Sequence, residues 1–280
     1  MLITFIGGGN MASALISGLA NPPRSDLGIR VVDPDAAARS RLQTTFDLPV
    51  YADTEAITAI DGADVILLAI KPQTMPVVLD QLAGHVDSSQ LLLTIAAGTT
   101  IETIRERLGS DIAVVRCMPN TPALIGHGIT GMTAGPNCSR EQRARAEEIL
   151  LAAGEVVWLE DEALMDAVTA VSGTGPAYYF LLTEALAAAA RDLGLPPETA
   201  QRLAAITCFG AGAMMAASPD EAQELRRRVT SPGGTTEAAM AILDSGGFRE
   251  LMHQAVSAAR DRSRELSGTS SGNKAGPDEQ

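Results

Sequence analysis

The chain has 280 residues, of which 46% are apolar and 20% are charged, and its formal net charge is −13 at pH 7. This composition is typical of a soluble globular protein, and the length allows a large core and two domains. The negative charge argues against a nucleic-acid partner, because phosphate backbones bind surfaces rich in Lys and Arg. No apolar run approaches the roughly 18 residues of a membrane span, so we expect no membrane partner either.

Cysteine and histidine usage excludes two further classes of protein. Cys117, Cys138 and Cys208 are odd in number, widely spaced and form no C-x-x-C pair. This spacing favours neither a disulfide framework nor a structural zinc site, and it suits a reducing compartment. The three histidines are also scattered, so no metal site is predicted. The first predicted strand starts at Leu2, which leaves no room for a signal peptide, and we expect a cytoplasmic location.

The chain opens with an apolar run, a glycine turn and an apolar-periodic helix, in the order that begins a dinucleotide-binding βαβ unit. Gly7 would allow the tight turn, and Gly9 would let backbone N–H groups reach a pyrophosphate at the helix N-terminus. A second apolar run ends at Asp33, where this fold places a carboxylate that binds ribose. A glycine turn alone can equally be structural. The strand before it, the helix after it and Asp33 together favour a nicotinamide dinucleotide site.

Strands and helices alternate as far as residue 160, which predicts a doubly wound, Rossmann-like sheet. Strands are predicted at 2–6, 29–32, 50–51, 65–70, 91–95, 113–117, 128–134 and 155–159. Helices are predicted at 13–19, 35–46, 54–60, 75–82 and 140–152, with a further helix that Thr99 or Thr100 could cap. We therefore place a dinucleotide-binding domain at 1–160.

From residue 161 the strand signal stops, and the remaining pattern predicts an all-helical second domain at 161–266. Its helices are predicted at 176–193, 198–217, 220–229, 235–243 and 248–266. This domain is rich in alanine and poor in aromatic residues, so a single copy buries little area, and we expect a homodimer. Residues 267–280 have the composition of a disordered tail.

Two stretches of the second domain place hydroxyls and glycines before a helix, at 172–176 and 231–236. Free N–H groups at a helix N-terminus can bind an anion. For a single Ser/Thr-Gly-Pro stretch, a simple helix cap is the commoner interpretation. The second stretch, Ser231-Pro232-Gly233-Gly234-Thr235-Thr236, contains more glycine and hydroxyl than a cap requires. The basic run 226–228 is interpreted as a solvated helix face in preference to a phosphate site.

At these residues the chain resembles pyrroline-5-carboxylate reductase, the enzyme family that reduces 1-pyrroline-5-carboxylate to L-proline with NADPH or NADH. The resemblance covers about residues 1–266, with its motifs in family order. The motif at 5–11 is shared by many dehydrogenases, whereas those at 229–236 and 246–249 are highly specific. The matching stretches are 5–11, 69–72, 96–98, 116–123, 171–178, 229–236 and 246–249.

The resemblance implies a role for individual residues of this chain. Ser231 and the backbone amides of Gly234 and Thr235 would hold the substrate carboxylate, and Thr236 would bind the ring nitrogen and act as the catalytic residue. It also implies an interlocked homodimer in which the partner completes each active site, with association into rings of dimers such as a decamer. The implied cofactor contacts are Gly7, Gly9, Asn10, Met11, Asp33, Ala69, Lys71, Pro72, Ala97 and Asn120.

Asp33 departs from a common family pattern, in which a small neutral residue followed by Arg suits the 2′-phosphate of NADPH. A carboxylate would accept hydrogen bonds from a free ribose 2′-hydroxyl and repel a phosphate. Arg39 and Arg41 could reach back to a phosphate, although a solvated helix face is the expected role for both. We therefore expect usable NADH and a weakened preference for NADPH.

Two other functions fit parts of the pattern. A β-hydroxyacid dehydrogenase shares the domain layout but needs a catalytic Lys in the second domain, and residues 161–266 contain no Lys. A dinucleotide-sensing protein would need the cofactor site but not the turn at 231–236. Both alternatives are weaker than the reductase for these reasons.

Overall fold

A computed structural model describes residues 1–268. It divides into two units, one formed by Met1–Gly173 together with the chain from Ala259 onward, the other by Thr174–Ala258. The predicted tail at 267–280 lies outside the described residues except for Ser267 and Gly268. No helix in the described part of the chain is long and apolar enough to cross a membrane.

The first unit contains one eight-stranded sheet with the order β3-β2-β1-β4-β5-β6-β7-β8. Neighbouring strands are parallel except at the β6–β7 pair, which is antiparallel. The predicted doubly wound Rossmann-like sheet is thereby confirmed. The strands are β1 (Leu2–Ile6), β2 (Gly28–Val32), β3 (Val50–Tyr51), β4 (Val65–Leu68), β5 (Leu91–Thr94), β6 (Ala113–Met118), β7 (Gly128–Ala134) and β8 (Gly154–Trp158).

Six helices connect these strands, and local capping explains where several begin. Asp35 caps α2 through Ala37 N, Thr100 caps α5 through Thr103 N, and Ser139 forms a reciprocal capping box with Gln142 at α6. The helices are α1 (Asn10–Leu19), α2 (Ala36–Phe46), α3 (Ala56–Ile60), α4 (Met75–Leu82), α5 (Ile101–Leu108) and α6 (Arg140–Leu151).

The central strands are buried on both faces, because helices cover the sheet from both sides. In β4, Val65 and Leu67 belong to one hydrophobic cluster, while Ile66 and Leu68 belong to the other. All four of these side chains are fully buried. The strand is shorter than the predicted 65–70, because the chain leaves the sheet after Leu68 and enters a 3₁₀ turn at Pro72.

After the sheet the chain is entirely helical within the described residues. The short helix α7 (Met165–Val168) passes directly into a π-helical turn, Thr169–Gly173, which the sequence did not predict. The remaining helices match the predicted positions to within about two residues. They are α8 (Gly175–Asp192), α9 (Pro197–Ala217), α10 (Ala222–Arg228), α11 (Thr235–Ser245) and α12 (Phe248–Leu266). The final residues of α12 belong to the first unit.

The second unit buries very little of its own apolar surface. In α8 only Gly175 and Ala187 are buried, in α9 only Ala200 and Ala204, and in α11 no residue is. Large side chains are exposed instead, among them Tyr179, Phe180, Leu181, Leu186, Leu203, Ile206, Phe209, Met214, Ile242 and Leu251. We call these residues the exposed apolar surface.

Candidate active site

The glycine turn after β1 has the geometry of a pyrophosphate cradle. Gly7 has a φ of +102°, and a Cβ there would collide with the carbonyl of Ala69, so only glycine fits. Gly9 precedes α1 in an extended conformation with no side-chain cap, and a Cβ there would meet no atom within 4 Å. The first amides of α1, which include those of Asn10 and Met11, have no intrahelical acceptor. These N–H groups and the open space beside Gly9 fit a pyrophosphate.

Asp33 lies at the end of β2 and ties the glycine turn to the start of α2. Its Oδ2 accepts a hydrogen bond from the N–H of Gly8 at 2.7 Å, and its Oδ1 accepts one from the N–H of Asp35 at 2.8 Å. The side chain is half-buried. The carboxylate therefore has a structural role in the turn, and each oxygen keeps a lone pair for a ribose hydroxyl.

Arg39 folds back over this loop, whereas Arg41 stays exposed. Arg39 Nη1 donates to the carbonyls of Asp33 at 2.7 Å and Pro34 at 2.9 Å, and Arg41 Nη2 reaches the carbonyl of Gly8 at 3.5 Å. The expectation of simple solvation was wrong for Arg39, because two loop carbonyls lie within reach of its side chain. Two guanidinium groups therefore contact the backbone of the loops that carry Asp33 and Gly8.

The loop after β4 lies directly against the glycine turn. The N–H of Ala69 donates to the carbonyl of Ile6 at 2.8 Å, and the Ala69 carbonyl takes the space that a Gly7 side chain would need. Lys71 is exposed, and its carbonyl accepts the N–H and the hydroxyl of Thr74 at 3.0 and 2.8 Å. The predicted contacts Ala69, Lys71 and Pro72 thus form one turn at the carboxyl end of β4.

Ala97 and Asn120 follow the next two strands, β5 and β6. Asn120 is 8% exposed, and its Oδ1 accepts a hydrogen bond from the N–H of Ile129 at 3.0 Å. This bond fixes the orientation of the amide, so its NH₂ group is directed away from β7. Because β1, β2, β4, β5 and β6 are parallel, all the predicted cofactor contacts follow carboxyl ends at one edge of the sheet, where α/β folds bind ligands.

In the second unit, the predicted substrate turn is built at the N-terminus of α11. Gly233 has a φ of +71°, and Gly234 precedes the helix in an extended conformation. A Cβ on Gly234 would lie 2.6 Å from Ser231 Oγ, so this hydroxyl can approach the backbone only because residue 234 is glycine. Ser231 and Thr235 are exposed, and Thr236 is half-buried.

The hydrogen bonds of this turn distinguish its amides. The N–H of Gly233 donates to Glu237 Oε2 at 2.7 Å, and that of Gly234 donates to the carbonyl of Ser231 at 3.0 Å. The amides of Thr235 and Thr236 begin α11 and have no intrahelical acceptor. The turn therefore binds an internal carboxylate, that of Glu237, through the N–H of Gly233.

Comparison with known proteins identifies the family. A model described as pyrroline-5-carboxylate reductase dimerisation matches residues 162–266, and one described as NADP oxidoreductase coenzyme F420-dependent matches residues 2–98. The pyrroline-5-carboxylate reductase of Pseudomonas aeruginosa is 46% identical over 264 residues, covering 94% of this chain and 96% of the relative. That of Haemophilus influenzae is 41% identical, covering 95% of this chain and 97% of the relative.

The chain belongs to the pyrroline-5-carboxylate reductase family. Its reaction is the NAD(P)H-dependent reduction of 1-pyrroline-5-carboxylate to L-proline, the last step of proline biosynthesis. The Coxiella burnetii reductase structure is similar, with a TM-score of 0.88, 38% identity and coverage of 95% of this chain and 98% of that one. The Plasmodium falciparum reductase, solved with NADP bound, has a TM-score of 0.81, 29% identity and the same coverage. The helical region is the family's dimerisation domain, so this reductase forms a homo-oligomer.

The stretch 172–176 was interpreted as a helix cap in preference to an anion site. Thr174 directly precedes α8, which begins at Gly175 and has Pro176 in its first turn. Ser172 and Gly173 end the π-helical turn, and Ser172 Oγ donates to the carbonyl of Val168 at 3.0 Å. A Cβ on Gly173 would lie 2.6 Å from Met118 Cε, the flexible end of that side chain.

One buried ion pair of the reductase, between Arg116 and Glu162, was not predicted from the sequence. Arg116 in β6 is 4% exposed and donates to Glu162 Oε1 at 2.9 Å, and the same oxygen accepts the N–H of Ile101 at 3.0 Å. The signal was an arginine within the apolar run Ala113-Val114-Val115-Arg116-Cys117, because a buried charge requires a partner.

The cysteines of the reductase are all free thiols. Burial raises the pKa of Cys117 and of Cys138, which keeps both protonated and unreactive. Among residues 1–268, no group of three or more His, Cys, Asp or Glu side chains could hold a metal ion.

Proposed function

We propose that the turn at 231–236 binds the substrate and that Thr236 is the catalytic residue of the reductase. The observation that carries this proposal is the close approach of Ser231 Oγ to the backbone at Gly234, directly before the unpaired amides of α11. A hydroxyl and helix-terminal N–H groups converging on one side of a turn suit a carboxylate. Ser231 and the amides of Thr235 and Gly234 bind the carboxylate, with Gly234 sharing its hydrogen between Ser231 and the ligand.

The chemistry requires little from the protein beyond orientation. When bound, the reduced nicotinamide supplies a hydride for the C=N carbon of the substrate. The π electrons of that bond pass to the ring nitrogen, which becomes the amine of proline. Because a protonated imine is already electrophilic, the Thr236 hydroxyl needs only to hold the nitrogen and its proton in place. This explains why the reaction does not need a His–Asp pair in the turn.

For the cofactor, we propose that the amides at Gly7, Gly9, Asn10 and Met11 bind the pyrophosphate. Ala69, Lys71 and Pro72 lie beside the ribose and the nicotinamide, and Ala97 and Asn120 contact the nicotinamide. Asp33 binds the ribose 2′-hydroxyl of NADH, which weakens the preference for NADPH. Arg39 and Arg41 beside it allow NADPH to remain a substrate, since guanidinium groups pair well with phosphate.

We also propose the assembly and location of the reductase. A homodimer covers the exposed apolar surface, the partner completes each active site, and dimers associate further into a ring such as a decamer. We place the boundary between the cofactor domain and the helical domain at 160–161, and the start of the dimerisation match at residue 162 supports this placement. Free, protonated thiols are consistent with a reducing cytoplasm.

Steady-state kinetics with 1-pyrroline-5-carboxylate and NADH test the roles of the turn. Thr236→Ala should lower kcat by about 10²-fold, and Thr236→Ser should restore most of it, because the hydroxyl positions the nitrogen. Ser231→Ala should instead raise the KM for the imine with little change in the KM for NADH. The control is Thr183→Ala, whose hydroxyl donates to the carbonyl of Tyr179 within α8. Wild-type kinetics in Thr236→Ala would eliminate the catalytic role.

A further inference from the structure

The loop between β5 and α5 is held by residues distant in sequence. Within the loop, Thr94 Oγ1 accepts the N–H of Ala96 at 3.3 Å, and Gly98 adopts a φ of +75°. The loop contains Ala97, a proposed nicotinamide contact. Any group that fixes the conformation of this loop therefore also fixes the position of Ala97 relative to the nicotinamide.

Residues after position 160 contact this loop at two points. At the end of the loop, Glu162 Oε1 accepts hydrogen bonds from the N–H of Ile101 and from the Arg116 side chain. The C-terminal end of α12 lies on Gly98, where a Cβ would be 3.0 Å from the carbonyl oxygen of Leu266 and 3.3 Å from the nitrogen of Ser267. The position of Gly98 therefore depends on where α12 ends.

A buried hydrogen bond anchors that end of α12. Ser263 Oγ donates to Asp166 Oδ1 at 2.7 Å, and the two residues are 4% and 7% exposed. Ser263 is the only buried residue of α12, so this bond lies in the interior of the first unit. Arg264 Nε lies 3.9 Å from the other oxygen of Asp166.

Asp166 is itself held firmly against the sheet. It lies in α7, where Val168 packs over Gly131 of β7 so closely that a Cβ on Gly131 would be 2.6 Å from Val168 Cγ1. Met165, at the start of the same helix, is fully buried. The packing of α7 thus fixes the Asp166 carboxylate, which positions Ser263 through their hydrogen bond. Leu266, three residues after Ser263, contacts Gly98.

We propose that Asp166 and Ser263 are positioning residues for the nicotinamide, acting through the end of α12 and the loop 96–98. This inference rests on the proposed contact of Ala97 with the nicotinamide. Neither side chain touches the reacting atoms. Their effect is to hold the loop in the conformation that receives the ring, so they should influence binding of the nicotinamide half of the cofactor and not of the adenosine half.

The test compares two ligands in equilibrium titrations of the full-length chain. NADH carries both halves of the cofactor, whereas ADP-ribose lacks the nicotinamide. Ser263→Ala should weaken NADH binding by about tenfold, because a hydrogen bond to a charged acceptor is lost, and leave ADP-ribose binding within about twofold. Ser257→Ala, the same change two turns earlier in α12, should alter neither affinity.

Three further variants test the interpretation. In Ser263→Cys the side chain keeps its size but donates only weakly, so a smaller loss in NADH affinity is expected, and this variant replaces Ser263→Ala if the latter does not fold. Asp166→Asn keeps an acceptor oxygen for Ser263 and should retain most of the NADH affinity. A double variant, Asp166→Ala with Ser263→Ala, should be no worse than either single change if the two residues act as one unit.

Ala97→Val separates failure of the inference from failure of the proposed site. If Ala97→Val weakens NADH but Ser263→Ala does not, the positioning role is refuted and the nicotinamide contact stands. If Ala97→Val leaves NADH binding unchanged, the placement of the nicotinamide fails, and the inference with it. Equal losses for NADH and ADP-ribose in Ser263→Ala would also overturn the inference, because they would show a general loss of structure.

Discussion

The two units of this reductase treat apolar side chains in opposite ways. In the first unit, the ten-residue helix α1 buries five of its residues against the sheet. In the second, the eighteen-residue helix α8 buries two, and Phe180 remains 68% exposed. A soluble monomer rarely leaves so many large apolar side chains in water. The first unit therefore forms its core within one chain, whereas the second leaves apolar side chains that the proposed homodimer would cover.

The difference follows from what each element can pack against. A strand buried on both faces forms its core with helices that are adjacent in sequence, so β4 and its neighbours need nothing from another chain. The alanine-rich helices of the second unit approach closely but leave their larger residues on the outer surface. In the proposed homodimer, burial of these residues by a second copy would add the missing stability.

A charge on the exposed apolar surface should have the largest effect, because it should prevent dimerisation through the second unit. In Phe180→Glu, dimerisation would bury an unpaired carboxylate, so we expect a monomer, a Tm lower by at least about 10 °C and almost no activity. Sedimentation velocity and thermal unfolding measure both effects. Leu151→Glu, at a half-exposed position at the end of α6, should stay dimeric. A dimeric, fully stable Phe180→Glu would show that the second unit does not need this surface.

In the glycine turn of the first unit, one glycine should matter for stability and another for NADH binding. Gly7→Ala should lower the free energy of unfolding by about 2–4 kcal/mol, because a positive φ and a collision with Ala69 both oppose a side chain. Gly9→Ala should change it by less than about 0.5 kcal/mol, since a Cβ there meets no protein atom. It should nevertheless weaken NADH binding by about an order of magnitude, because its methyl group takes pyrophosphate space.

Chemical denaturation and NADH titration of the same two proteins distinguish these effects. If Gly9→Ala binds NADH as tightly as the wild type, the space before α1 is not the pyrophosphate site.

Asp33 should produce a moderate change in cofactor preference. Asp33→Asn removes the charge but keeps one acceptor, so the ratio of kcat/KM for NADPH to that for NADH should rise by about tenfold. Asp35→Asn, which alters a neighbouring exposed carboxylate that caps α2 through Ala37, is the matched control and should leave the ratio unchanged. An unchanged ratio in Asp33→Asn would show that its carboxylate serves only the turn formed by Gly8 and Asp35.

The smallest effect is expected at the charged face of α10. Hydrogen bonds from Arg227, and then from Arg228, lower the pKa of Glu224 to about 2. Since its pKa is lower in the folded than in the unfolded chain, Glu224 stabilises the fold above its ordinary pKa of 4.5, and this contribution is lost as the pH falls toward 2.

Glu224→Gln should therefore lower the Tm at pH 7 by no more than about 2 °C, because the ion pairs are exposed to solvent, and the difference should shrink by pH 3. Glu184→Gln in α8, whose carboxylate has no ion pair among the described residues, is the control. A Tm difference that grows on acidification would contradict this sign.

Local sequence patterns were sufficient for most of the architecture. The apolar runs at β1 and β4 and the glycine turn between β1 and α1 each act within a few residues, so they could be identified from the sequence. The cap of α5 was narrowed to Thr99 or Thr100, and the structure shows that it is Thr100. The turn at 231–236 could be identified for the same reason as the glycine turn. Gly233 allows its positive φ and Gly234 allows the close approach of Ser231, and both effects are local. The roles of Ser231, Thr235 and Thr236 within it stay predictions.

Only the tertiary structure decided which distant groups meet. No local pattern indicates that Ser263 reaches Asp166, that Glu162 binds both Arg116 and Ile101, or that Leu266 lies on Gly98. The same is true of Arg41, which reaches the carbonyl of Gly8, and of Gly173, which lies against the end of the Met118 side chain. Local conformation is encoded by neighbouring residues, whereas these contacts arise from the packing of elements that are far apart in the chain, as Gly98 and Leu266 are, and a single sequence contains no local signal for them.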